Sequence, residues 1–485
     1  MTNLNTATVS ARSVLTRFWM KAVSALLLVL AADQLFLGWK GGSTLGLFGL
    51  VLLLAVWMLR VVRPDRVDYG LAFAAFGLCI ALLYDPGRMA ALLLWSVLAF
   101  LVLRPTLRGP LDLRRWLATL GLFSVLAPWK LVIDLFRVKR VGSKRPGRAR
   151  LPLFGTIILP VIAVAVFGGL LIWANPILER AFNEFAFSGY DNLLTIDRVA
   201  LWIVAATMVW ALLRSTAVRL PQFNANPGAG LAGSLGFLFS LRGTFFALIL
   251  CNILFSVQNA LDIAFLWGGG TLPDGMTYAE YAQRGAQALI VTALLAGFFA
   301  LIALRQGSES ESNRPVRLLV YMWFGQNVFL VASAIERTLA YVAVYALTPM
   351  RLAALLWMGL VAVGLILIVW RIVARKSGLW LVNANVMAAA ALLYATAFID
   401  LSGLSADYNV RHARDVTGEG VVLDVAYMRE LGPSALPALD WFIANTSDTE
   451  NHRLAVTMRG YLEGDLAYQQ GDWRTWTVAG YRLSP

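Results

Sequence analysis

Polar side chains set inside long apolar runs are the groups in this sequence best suited to chemistry, because an amide or a charge in hydrocarbon is costly and persists where it faces protein or a water-filled cavity. In one run Asn252, Ser256 and Asn259 recur at helical spacing, with Asp262 near the next turn, so they form a polar stripe on one helix face. In another, Gln326, Ser333, Arg337, Tyr341 and Thr348 fall within about 20 to 60° of one another around an ideal helix. Glu336 and Arg337 are neighbours that point about 100° apart, so each needs a partner on another element.

Depth divides these groups into two sets. Counting about 1.5 Å per residue from Arg242 and Arg317, Asn252, Gln326 and Asn327 reach the bilayer midplane, whereas Asp262, Glu336 and Arg337 stand about 28 to 30 Å up. Asp262, Glu336 and Arg337, with Tyr341 and Arg351, therefore define a candidate outer vestibule for a ligand, against the plainer reading of a solvated rim of interfacial charges. Asn252, Asn259, Gln326 and Asn327 are candidate intramembrane contacts. At that depth amides serve as interhelical hydrogen-bond glue, worth about 0.6 to 2 kcal/mol, or line a substrate path.

Other chemistries have no residues to carry them. The histidines are His412 and His452, both near the C-terminal end, and the cysteines are Cys79 and Cys251, both within apolar runs. Catalytic zinc, haem and a Ser/His/Asp triad each need imidazoles near the reaction. No catalytic residue, metal site or cofactor is therefore expected. Disulfides are not expected either.

The elements that position these residues are apolar helices. Hydrophobic residues make up 59% of the chain and charged ones 14%, a balance that would cover a water-soluble protein in exposed apolar surface. Roughly 20 apolar residues cross the hydrocarbon, and eleven candidate spans follow, at residues 19–38, 43–62, 68–84, 88–104, 152–174, 198–214, 243–267, 285–304, 318–347, 350–370 and 378–399. The net charge of +13 comes from bases clustered in short loops, which encodes membrane orientation rather than nucleic-acid binding. Arg12, Arg17 and Lys21 precede the first span, and Arg371, Arg375 and Lys376 follow the tenth. This places residues 1–18 in the cytoplasm as a short tail and, after eleven crossings, the C-terminus outside it.

Residues 104–150 read as cytoplasmic. A crossing at 117–136 would export Lys130, Arg137, Lys139, Arg140, Lys144, Arg145, Arg148 and Arg150. That segment is expected to be re-entrant or interfacial and amphipathic, and the polybasic stretch 130–150 to attract anionic lipid by about 1 kcal/mol per base. Residues 175–197 are expected to lie along the outer surface as an amphipathic helix.

The expected architecture is all-α. A polytopic transmembrane bundle of about eleven spans (19–399) carries a small, mostly helical C-terminal domain outside the membrane (400–485). That tail holds 12 acids and 7 bases, a net charge of −5. Residues 423–431 and 434–444 read as helices separated by Gly432 and Pro433, with Tyr427, Leu431, Leu436, Leu439, Trp441 and Phe442 as their core. Asp424 and Glu430 have the type for acid–base work and the commoner role of solvated helix charges. Trp473, Trp476 and Tyr481 either pack on the tail or rest at the bilayer surface.

Three ordered stretches carry a family resemblance: LPDGMTYAEYAQRG at 272–285, YVAVYALTPMR at 341–351, and Tyr408–Asn409 with LDVAYMRELGPSALPAL at 423–439. With the closing DWRTWTVAGYRLS at 472–484 they resemble a bacterial membrane family of domains of unknown function, number 4173, related to family 4153. The resemblance covers residues 241–485 and implies a bacterial, multi-pass integral membrane protein, with no activity or cofactor attached. Two function classes fit the inner membrane. One is an envelope sensor, scaffold or assembly factor whose outer domain contacts an envelope protein partner. The other is a transporter or lipid-handling protein that uses the vestibule and the intramembrane amides. A membrane glycosyltransferase is disfavoured because the early outer loop 38–43 has no acidic residue.

Overall fold

The computed structural model describes residues 2–38, 41–60, 63–107, 112–141, 196–214, 241–268 and 313–484. The expected spans 152–174 and 285–304, most of the outer segments 175–197 and 268–284, and the basic residues beyond 141 lie outside the described residues. Among the described residues the chain is all-helical apart from one isolated bridge between Ala413 and Val421. Six helices are long and apolar enough to cross a membrane, and Thr44–Met58 and Arg88–Leu103 are shorter apolar helices.

The chain divides into two compact units, the first of Met1–Cys79, Leu94–Thr106 and Thr119–Val218, the second of Ile80–Leu93, Leu107–Ala118 and Arg219–Pro485. Helices of the first are α1 (Thr2–Phe36), α2 (Thr44–Met58), most of α3 (Arg66–Tyr84), α4 (Arg88–Leu103) and α5 (Leu113–Val141), and α6 (Ile196–Leu213). Three helices pack so closely around Gly49 that a Cβ there would meet Leu94 Cδ2 at 2.8 Å and Cys79 Sγ at 3.1 Å.

Charges inside this unit are paired with one another. Asp65 and Asp68 exchange backbone-to-carboxylate hydrogen bonds of 3.0 Å across the first turn of α3, a reciprocal cap of two orphan helix N–H groups. Arg60 then meets Asp68 at 2.7 Å, and Arg104 meets Asp65 at 2.8 Å. On α6, Arg198 and Trp202 both donate to Asp33 of α1, at 2.5 to 2.9 Å. At the other end of α6, Trp210 and Arg214 approach Asp134 of α5 at 3.2 and 3.1 Å. Each arginine thus lies four residues from a tryptophan that shares its carboxylate. The two clamps are 16 residues apart on α6, about 24 Å.

These pairings correct the expectation for residues 117–136. They lie within one uninterrupted 29-residue helix, α5, so the segment does not re-enter. Along it Thr119, Lys130 and Asp134 are buried, while Leu117, Val125, Leu126 and Trp129 are exposed. Asp134 turns inward because its guanidinium and indole partners are there. Lys130 follows it, four residues earlier, with Nζ 4.8 Å from the Phe123 ring. Lys130 is buried among the described residues.

The second unit contains α7 (Leu241–Asp262), α8 (Arg314–Tyr345), α9 (Pro349–Val373) and α10 (Gly378–Thr396). Their starts follow from capping side chains. Asn313, Thr348 and Ser377 each accept a hydrogen bond from the backbone N–H three residues on, and Pro315 and Pro349 occupy first-turn positions where no N–H is missed. Leu248, Phe255, Trp323, Phe324 and Leu365 form their core.

The tail folds into α11 (Leu401–Arg411), α12 (Arg414–Thr417), α13 (Val425–Leu431), α14 (Leu436–Asn445), α15 (Thr449–Gln470) and α16 (Val478–Leu483). Asp400, Asp424, Asp448 and Thr477 cap four of these helices. The two short helices expected at 423–444 are α13 and α14. Leu431, Leu436, Leu439 and Phe442 are buried in one cluster, with Tyr427 and Trp441 packed on it. The longest tail helix, α15, was not anticipated. It delivers Ala455, Leu462 and Leu466 to that core, with Met458 packed against it, a sparse apolar stripe among its charges.

A candidate binding cleft

The two polar stripes read from the sequence face each other across α7 and α8. Asn252 Nδ2 donates to the Leu319 carbonyl at 3.1 Å, Asn259 Nδ2 to the Gln326 carbonyl at 3.3 Å, and Gln326 Nε2 to Ser256 Oγ at 2.7 Å. Asn327 turns back to the Trp323 carbonyl of its own helix at 2.7 Å. Three of the four amides thus bond between α7 and α8, the contact that interhelical glue makes.

The vestibule residues separate. Arg337 bonds to Asp262, both fully buried, and Gln258 donates to the same carboxylate at 2.9 Å. The partner that Arg337 needed on another span is Asp262. Glu336 is exposed and takes no part. Tyr341 and Arg351 belong to a different place: the Arg351 guanidinium lies 4.5 Å from the Tyr341 ring centroid and donates to the carbonyls of Tyr345 and Ala346 at the end of α8. Of the five residues, Asp262 and Arg337 form an internal ion pair, Tyr341 and Arg351 meet at the end of α8, and Glu336 is exposed.

The turn that Arg351 clamps is strained. Ala346 has φ 64° and ψ 167°, a region essentially reserved for glycine, where a residue with a Cβ is held at a cost of about 1 to 3 kcal/mol. The tail holds it. Asn409 of α11 accepts from the Leu347 N–H at 2.6 Å and donates to the Leu347 carbonyl at 2.9 Å. The Tyr408–Asn409 and 341–351 motifs meet at this point.

A cleft of about 380 Å³ opens beside the turn. Val342, Ala343 and Ala346 of α8 line one side. Tyr408 and His412 of α11, the loop at Glu419 to Asp424, and Tyr427 and Met428 of α13 line the rest. Tyr408 and His412 stack at 4.1 Å between centroids, and His412 Nδ1 lies 2.8 Å from the Tyr408 carbonyl. A carbonyl only accepts, so Nδ1 carries a hydrogen. Burial, with Glu430 and Asp424 adding and Arg351 opposing, pushes the Tyr427 phenol above its ordinary value. The phenol stays protonated at neutral pH. Asp424 caps α13 through the Tyr427 N–H at 3.0 Å and also lines the cleft, whereas Glu430 is an exposed helix charge.

His412 and Glu419 were not singled out in the sequence. A sequence signal did exist, since Tyr408–Asn409 and residues 341–351 stand in the same ordered motif set although about 60 residues apart. Among the described residues no cluster of His, Cys, Asp and Glu has the arrangement to hold a metal ion.

A sequence model of the domain-of-unknown-function family DUF4153 matches residues 47–441. This is the family to which the one suggested by the motifs is related. The match reaches back into the first unit, well before residue 241, and ends before the closing aromatic stretch. No curated protein and no solved structure matches the chain.

Proposed function

The chain belongs to the DUF4153 family, and from that premise we propose that it is a multi-pass protein of the bacterial inner membrane that senses or scaffolds by binding at the cleft between the end of α8 and its tail. The carrying observation is the strained Ala346 in the wall of that cleft, held by Asn409 and Arg351. Strain of this kind concentrates at binding sites and switches, where the surrounding structure over-determines it. An occupant of the cleft would touch a membrane helix and the tail together, which is the contact a sensor or scaffold needs. The transporter reading has less support, because Asp262 and Arg337 pair with each other and the side-chain NH2 groups of Asn252, Asn259 and Gln326 bond across α7 and α8.

In this reading the N-terminus is cytoplasmic and the tail extracytoplasmic. Loop bases support it, as does the first unit: Asp33 near the end of α1 meets Arg198 near the start of α6, so these two helices run in opposite directions. Asp134 meets Arg214 at the other end of α6, which puts the start of the basic stretch on the same side as the N-terminus. Arg482 over the Tyr84 ring at 5.4 Å sets the end of the tail against the end of α3.

Two measurements test the proposal. A reporter fused after Pro485 is expected to be active only outside the cytoplasm, and activity inside would overturn the topology. Ala343→Trp fills the cleft from an exposed position and is expected to abolish rescue of a strain lacking the gene while leaving thermal unfolding unchanged. Full rescue would remove the cleft as the working site.

A further inference from the structure

We infer that the cleft takes an organic cation: an ammonium or guanidinium group carried on an apolar stem. The inference rests on the cleft being the working site and names what it selects. Its lining contains two carboxylates, Glu419 and Asp424, and no lysine or arginine. Among the described residues neither carboxylate has a salt-bridge partner. Two nearby bases are committed elsewhere. Arg351 is turned onto the Tyr345 and Ala346 carbonyls, and Arg411 pairs with Asp407 at 2.8 Å under the Trp441 ring.

The remaining polar lining also suits a cation. Tyr408 and Tyr427 add aromatic rings to the lining, and aromatic rings attract ammonium and guanidinium groups. Val342, Ala343, Leu423 and Met428 supply an apolar surface for the stem. An anion would meet the two carboxylates of the lining, and a neutral apolar ligand would leave Glu419 without a counter-charge. The ligand chemistry is shared by a free amine and by the headgroup of an aminophospholipid.

The test uses the full-length protein in phosphatidylcholine nanodiscs, titrated calorimetrically with benzylammonium, benzoate and benzyl alcohol. Benzylammonium is expected to bind at least about tenfold tighter than either control, the discrimination expected of a carboxylate-and-aromatic site. Glu419→Gln and Asp424→Asn are each expected to weaken it about three- to tenfold. Asp424→Asn keeps the α13 cap, since asparagine caps as well as aspartate, so lost binding would not reflect a lost helix. Substituting phosphatidylethanolamine nanodiscs identifies the source: weakened benzylammonium binding assigns the occupant to the headgroup, unchanged binding to a free amine. Equal or tighter binding of benzoate or benzyl alcohol, no effect of both substitutions, or no binding of benzylammonium would overturn the inference. Loss of rescue in Ala343→Trp alongside any of these would show that the cleft works but selects another class.

Discussion

Asn409 and Leu347 exchange two hydrogen bonds, the Leu347 N–H donating to Oδ1 at 2.6 Å and Nδ2 donating to the Leu347 carbonyl at 2.9 Å. One side chain thereby satisfies both backbone groups of a residue in the turn after α8, and both residues are buried. The turn and the tail are joined by this exchange.

Asn409→Ala leaves a buried N–H and a buried carbonyl without partners. Unsatisfied buried groups cost about 1 to 3 kcal/mol each, so destabilisation of about 2 to 6 kcal/mol is expected in denaturant unfolding of the purified protein. Asn409→Asp keeps the acceptor and loses the donor, and its stability is expected to fall between those of the wild type and the alanine variant. Equal stability of all three proteins would contradict the role given to this side chain.

Ala346→Gly relieves the turn. Glycine enters the φ 64°, ψ 167° region without a Cβ clash, so a gain of about 1 kcal/mol is expected, from strain of about 1 to 3 kcal/mol offset by glycine's greater freedom in the unfolded chain. If the strain serves binding, the same substitution weakens affinity for the cleft's occupant even as the melting temperature rises. A fall in melting temperature would show that Ala346 is not strained.

Asp262 and Arg337 form a buried pair whose members cannot be removed one at a time. Asp262→Leu or Arg337→Met alone strands a buried charge and is expected to cost about 3 to 5 kcal/mol, while the double replacement recovers most of that loss. The double-mutant cycle, read by thermal unfolding in nanodiscs, checks it. Additive losses would mean that the two residues do not act on each other. Normal rescue by the double variant would further mark the pair as a structural lock.

Asp85, in the turn between α3 and α4, titrates above the ordinary carboxylate value of 3.8 through burial first and then the nearby charge of Asp400. A carboxyl whose folded pKa is raised binds its proton more tightly when folded, so its contribution to stability is greatest at low pH and declines as pH rises from 3.8 through the raised value. Part of the side chain reaches solvent, which keeps the effect small. Asp85→Asn is expected to flatten this limb of the melting temperature measured from pH 4 to 7. An unchanged slope would refute the assignment.

Much of the helical framework was legible in the sequence because local signals agree. Caps such as Asn313, Thr348, Ser377 and Asp400 stand at the starts of apolar runs, and Gly432–Pro433 falls between two short tail helices. The two polar stripes were also legible, since periodicity alone puts Asn252, Ser256 and Asn259 on one face. Which residue met which was not. Arg337 finds Asp262, Arg198 finds Asp33 and Arg214 finds Asp134, over separations of 75, 165 and 80 positions. No local rule reaches that far. The same holds for Lys130, which reads as the first of a basic run and folds inward because Asp134 does.

Composition, charge distribution and capping determined by themselves that this protein is helical and lives in a membrane, because apolar length and the cost of unpaired backbone in lipid leave few other forms. Tertiary structure alone decided what the polar residues are for. It joined Asp262 to Arg337 as an internal pair and moved Tyr341 and Arg351 to the end of α8. The Tyr408–His412 stack lines the cleft beside the strained turn that Arg351 clamps, a place that depends on contacts between segments some 60 residues apart. Pairings of that kind arise when whole helices pack, and a one-dimensional pattern carries no record of them.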